Sequence, residues 1–93
     1  MKHLHYEFDA APSDTIEVSL DHAANVQLLD DDNYQKYQDQ QTFDYHGGHA
    51  KTSPFRLHPP YQGHWHIVVD LGGGAGSVRA SVKVTPNAAR QAA

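Results

Sequence analysis

Gly63-His64-Trp65-His66-Ile67-Val68-Val69-Asp70-Leu71 is the stretch whose reading decides the fold of this chain. Trp65, Ile67 and Val69 fall on one parity, while His64, His66 and Asp70 share the other with Val68. Successive side chains of a strand point to opposite faces, so this alternation predicts a strand with one continuous apolar face. Ser77-Val78-Arg79-Ala80-Ser81-Val82-Lys83-Val84 alternates in the same way after Gly72-Gly73-Gly74-Ala75-Gly76. Two such runs joined by small residues read as a hairpin, with the glycines supplying positive φ angles in its loop. The single tryptophan lies on the inward parity and is assigned to the core.

Outward from this stretch the same signal recurs. Leu4, Tyr6 and Phe8 alternate with His3, His5, Glu7 and Asp9, and Ile16, Val18 and Leu20 form a second inward row after the turn residues Ala11-Pro12-Ser13-Asp14. Val26 and Leu28 mark a short third strand. Asp30-Asp31-Asp32-Asn33 ends it with side chains that accept hydrogen bonds from nearby amides and so favour Asx turns and helix N-caps. Tyr34 and Tyr37, three residues apart in a polar context, predict one or two helical turns or an irregular loop that packs both rings on the sheet. Thr42-Phe43-Asp44-Tyr45-His46 reads as a further strand ended by Gly47-Gly48. Pro54 donates no backbone hydrogen bond, which places the run with Phe55 and Leu57 on a sheet edge or makes Pro54 its first residue.

The resulting expectation is an all-β fold: a small antiparallel β-sandwich or partly open barrel of six to eight short strands, with at most one short helix. Residues 1–84 form the single domain, and residues 85–93, which lack a periodic apolar face, form a flexible tail.

Composition narrows the function classes. At 93 residues without cysteine, the chain holds one core and has no disulfide framework, thiolate metal site or cysteine nucleophile. Lys and Arg are scattered and the net charge is −4, which argues against nucleic acid as a partner. No apolar run is long enough for a signal peptide or a membrane span, so a cytoplasmic location without membrane contact is expected. The eight histidines would carry the charge from −4 to +4 if all were protonated, in mildly acidic solution.

Leu4-His5-Tyr6, Ala24-Asn25-Val26-Gln27-Leu28-Leu29-Asp30 with Asn33-Tyr34 and Tyr37, Tyr45-His46-Gly47-Gly48, Ser53-Pro54-Phe55-Arg56-Leu57 and the stretch from Gly63 to Gly73 running into Gly76-Ser77-Val78-Arg79-Ala80-Ser81-Val82 together resemble a bacterial family, domain of unknown function 1883. The resemblance reaches to about Val84. It implies a compact all-β domain found alone or fused to other modules, among them domains of the Toll/interleukin-receptor type, and it brings no catalytic or ligand-binding residue with it.

Chemistry is therefore sought in the residues themselves. His3/His5 and His64/His66 are two His-x-His pairs, and residues i and i+2 of a strand share a face. Were the first strand to lie beside that of Trp65, these four imidazoles would form a ligand set for zinc or another divalent transition metal such as copper or nickel; otherwise no cofactor is expected. Their parity, opposite to the apolar residues, places all four on the solvated face, along with Glu7. The Asp30-Asp31-Asp32-Asn33 run lacks the spacing, glycine and terminal glutamate of a calcium loop, and the glycine run is followed by a strand where a phosphate loop needs a helix. No catalytic residue is assigned, because no serine sits in a nucleophile-elbow context and no carboxylate pair has divided environments. Tyr34, Tyr37 and Tyr61, read as loop residues with charged neighbours, are the candidate contacts for a small molecule or a partner protein. These features predict a non-enzymatic ligand-binding or protein-interaction module, with a histidine-based metal-binding or pH-responsive protein as the alternative. In solution a monomer, or a weak homodimer through an edge strand, is expected.

Overall fold

A computed structural model describes residues 3–72 and 76–86. In chain order the elements are β1 (Leu4–Ala10), β2 (Thr15–Leu20), β3 (Ala24–Leu29), α1 (Asp31–Gln38), β4 (His46–Ala50), β5 (Phe55–Leu57), β6 (Gly63–Asp70) and β7 (Ala80–Thr85). The strands form two antiparallel sheets, one ordered β1-β6-β3-β4 and the other β5-β2-β7. Inward rows of both sheets meet in one core, where Ile16 and Val18 of β2 face Val26 and Leu28 of β3 and Trp65, Ile67 and Val69 of β6. This is the all-β sandwich the alternation predicts, and it is not a closed barrel. Among the described residues, no helix is long and apolar enough to cross a membrane.

The hairpin expected at residues 63–84 does not form. β6 lies between β1 and β3, with Phe8 opposite Trp65 and Val26 opposite Val69, whereas β7 pairs with β2 in the other sheet, with Val82 opposite Val18. The chain passes from one sheet to the other between Asp70 and Ala80. Alternation specifies which face of a strand is apolar but leaves its neighbour open. β6 also differs from an ordinary half-buried strand, because every residue from Trp65 to Asp70 is buried. A strand covered on both faces belongs in the middle of a sheet, and a β6–β7 hairpin would have left one of its flanks without β1 or β3.

Two further segments depart from expectation. The strand read at residues 42–46 starts only at His46 and runs through both glycines to Ala50. Gly47 has φ of 120°, and a Cβ there would stand 2.3 Å from the Val26 carbonyl oxygen, so the close approach of β4 to β3 requires glycine at this point. The last strand begins at Ala80, three residues later than its pattern suggests, and includes Thr85, which the sequence reading gave to the tail. Residues 87–93 of that tail lie outside the described residues. Pro54 immediately precedes β5, which is an edge strand as proline requires.

The outer face of the four-stranded sheet carries the remaining parity. Glu7 stands opposite His66 and Asp9 opposite His64, while Leu29 flanks His66 and Asn25 flanks Asp70 from β3. Helix α1 lies over this face.

Candidate functional site

Helix α1 begins where the acidic run ends β3. Asp30 is its N-cap, its Oδ1 accepting from the Asn33 backbone amide at 2.8 Å, and Asp31 and Asp32 place negative charge in the first turn against the positive end of the helix. Burial works against the Asp30 carboxylate, but the Asn33 amide, the Tyr61 hydroxyl and the Asn33 side chain hold its pKa below the ordinary value. The helix closes at Asp39: the Gln40 amide donates to Tyr37 O and the Gln41 amide to Lys36 O, with Gln40 at φ 57°. That pair of bonds is a Schellman closure with glutamine where glycine is usual.

Eight residues of polar helix do not hold themselves, and α1 has no buried residue of its own. Its attachment to the sheet runs through Tyr34, Tyr37 and Asp31. The Tyr34 ring stacks on His5 with centroids 4.1 Å apart and on His66 at 4.6 Å, both within 10° of parallel. The Tyr37 hydroxyl donates to Asp70 Oδ2 at 2.8 Å, and Asp70, 3% exposed, also accepts from Asn25 Nδ2 and the Gly72 amide. Burial and then this carboxylate push the Tyr37 phenol well above its ordinary range. Tyr34 and Tyr37 thus lie on the short helix that their spacing allowed, both turned to the sheet as expected, and not on a loop, while Tyr61 is half exposed and donates to Asp30 Oδ2 at 2.9 Å.

Beneath Tyr34 the structure joins three of the four imidazoles. His5 Nε2 lies 2.8 Å from His66 Nδ1, and His66 Nε2 lies 2.5 Å from Asp31 Oδ1. His66 is 6% exposed, so the expectation that all four histidines are solvated fails for this one. Sheet parity gives the side of the sheet, and α1 covers that side above His66. Glu7 spans two neighbours, with Oε1 2.9 Å from His64 Nε2 and Oε2 4.0 Å from His5 Nε2. The other nitrogen of His64 is 2.9 Å from Asp9 Oδ1. Both nitrogens of His64 therefore face carboxylates, an arrangement only the imidazolium satisfies twice, and the bonds to Asp9 and Glu7 raise its pKa. Burial, and then His66, lower that of His5.

His3 meets His5 edge-on, with ring centroids 6.5 Å apart, but belongs to neither group of converging ligand atoms. Its ring packs edge-on to Tyr37 at 5.0 Å, and its Nε2 is 3.4 Å from the Tyr34 hydroxyl. Carboxylates take the place that the four-imidazole expectation gave to His3. Among the described residues, two triads of metal-ligating atoms, each within 4.8 Å of one another, share His66: His5, Glu7 and His66, and Asp31, His64 and His66. Glu7 was readable as a member of this face, since it shares parity with His5. Asp31 was not, because nothing in the spacing of a helix and a strand says that they will meet.

No curated protein and no solved structure matches the chain. The family described as Domain of unknown function (DUF1883) matches residues 1–88 of the 93, a span that takes in both sheets, α1 and every residue of the cluster. By that match, the chain belongs to the DUF1883 family.

Proposed function

We propose that this chain is a non-enzymatic binding module whose ligand is a divalent transition metal ion, zinc in the first place. The observation that carries the reading is the convergence of His5 Nε2, Glu7 Oε2 and His66 Nδ1 from two directly paired strands. Ligand atoms around a tetrahedral zinc stand about 3.3 Å apart. The separations of 2.8 Å between the imidazoles and 4.0 Å between His5 and Glu7 bracket that spacing. Two nitrogens and a carboxylate suit zinc, copper or nickel better than calcium or magnesium, which require more oxygens.

The surroundings fit a ligand set. With Nε2–H of His66 donated to Asp31, the lone pair of Nδ1 is turned toward His5 and Glu7; a carboxylate on the far nitrogen is the usual means of orienting a metal-bound imidazole. His64 stands in the same relation to Glu7, holding Oε1 and leaving Oε2 toward His5. An ion would displace the proton now shared between His5 and His66, so affinity falls as the solution is acidified. The Tyr34 ring over both imidazoles leaves little room for a substrate there, which favours a binder over a catalyst.

The test is isothermal titration of the chelator-stripped full chain with zinc. One ion per chain with sub-micromolar affinity is expected, abolished in the His64→Ala, His66→Ala double variant. Since that variant removes packing as well, Asp31→Asn serves as a milder one, with affinity reduced roughly tenfold and the fold intact. Millimolar binding, or equal affinity in wild type and both variants, refutes the proposal.

A further inference from the structure

At the C-terminal turn of α1 lies an open cleft of about 590 Å³, lined by His3, Tyr37, Gln38, Gln40, Gln41 and Phe43. Its volume is within the range of small-ligand sites. Its rings are set as a corner: His3 and Phe43 each meet Tyr37 nearly at right angles, with centroids 5.0 and 5.3 Å away and interplanar angles of 88° and 81°. Tyr37 is held in place from behind by its bond to the buried Asp70, so the corner rests on the sheet.

Among the described residues, three carboxamides form the rest of the lining. Each offers one acceptor and two donors. Gln38, Gln40 and Gln41 make no side-chain hydrogen bond among the described residues, in contrast to Gln35 on the same helix, which donates to Asp39. Gln40 is the informative one. It occupies the left-handed position of the helix closure, where a side chain is strained and glycine is preferred. A residue kept in such a conformation at the wall of a cleft points to a use for its side chain.

The lining also selects the ligand. Among the described residues no carboxylate, ammonium or guanidinium lines it, so a phosphate or carboxylate would find no permanent countercharge among them. An apolar ligand would make no use of the three exposed amides. Aromatic rings that offer a flat apolar face, ringed by groups that both donate and accept, suit a neutral ring compound bearing hydroxyls. We propose that the cleft between the C-terminal turn of α1, His3 and Phe43 binds a neutral saccharide, one sugar ring lying against the aromatic corner and its hydroxyls bonded to Gln38, Gln40 and Gln41. This site shares no residue with the metal cluster and stands or falls separately from it.

Amide spectra of the uniformly ¹⁵N-labelled full chain, titrated with glucose, galactose, N-acetylglucosamine, maltose and cellobiose, test the proposal. At least one of these saccharides is expected to shift the amides of Gln38, Gln40, Gln41 and Phe43 saturably, with millimolar affinity. Gln40→Gly keeps the helix closure and removes only the carboxamide, so it weakens that saccharide at least roughly fivefold without lowering the melting temperature. Saccharide affinity is the same in a chelator as in saturating zinc, which separates this site from the metal reading. Absence of saturable shifts with all five sugars, shifts confined to other regions, tighter response to inorganic phosphate than to any sugar, or unchanged affinity in Gln40→Gly overturns the proposal.

Discussion

Trp65, Ile67 and Val69 of β6 meet the second sheet, whereas His66 and Asp70, one residue out of step on the same strand, meet α1 and its neighbours. Both sets are buried to a similar degree, at 0–1% exposure for the apolar row and 3–6% for the polar pair. The inner face is stabilised by apolar area removed from water and needs only shape. On the outer face each buried polar atom needs a partner: Asp70 has three, and His66 has one at each nitrogen. Burial on the inner face therefore makes a core, and burial on the outer face makes a site with a defined arrangement of donors and acceptors.

Substitutions on the two faces should differ in size and in kind. Trp65→Ala has the largest expected effect, a loss of about 3–5 kcal/mol in urea unfolding, since it empties the centre of the core and leaves the Tyr61 carbonyl without its indole donor. Tyr37→Phe, on the other face, removes one hydroxyl and no packing volume; it should cost about 1–3 kcal/mol because Asp70 stays buried with one donor fewer. If Tyr37→Phe proved neutral, the outer face would be an ordinary solvated surface and the contrast would fail.

Asp30→Ala should cost about 1 kcal/mol by loss of the N-cap. Its pH dependence carries a sign. The folded pKa of Asp30 lies below its unfolded value, so its contribution is complete above about pH 4 and is lost as the pH falls through the folded pKa. Wild type is therefore expected to lose stability in acid more steeply than Asp30→Asn, as read from unfolding midpoints across that range. The smallest change is Gln40→Gly, which relieves a left-handed residue and should raise stability by at most about 1 kcal/mol.

Much of the inner face was legible in the sequence, because a period of two leaves a direct mark: the inward rows of β1, β2, β3 and β6 are those the alternation assigns. What that period does not contain is a neighbour. β6 and β7 look like hairpin partners and belong to different sheets, since the cue that mattered was the cover on both sides of β6 and not its own pattern. β4 was misplaced because its pairing depends on two glycines, residues that normally argue against a strand. For the site, parity was enough to collect His5, Glu7, His64 and His66 on one face. It could not separate His3 from them, nor supply Asp31, because both outcomes follow from how an eight-residue helix settles on the sheet.

The central claim is that the outer face of β6 is built around a metal ion, and zinc-soaked crystals of the full chain measured at the zinc absorption edge test it most directly. The account predicts one strong anomalous peak between His5, Glu7 and His66, at about 2.0–2.2 Å from a donor atom of each. An empty cluster at saturating zinc, with peaks only at exposed histidines such as His22 or His49, would contradict it.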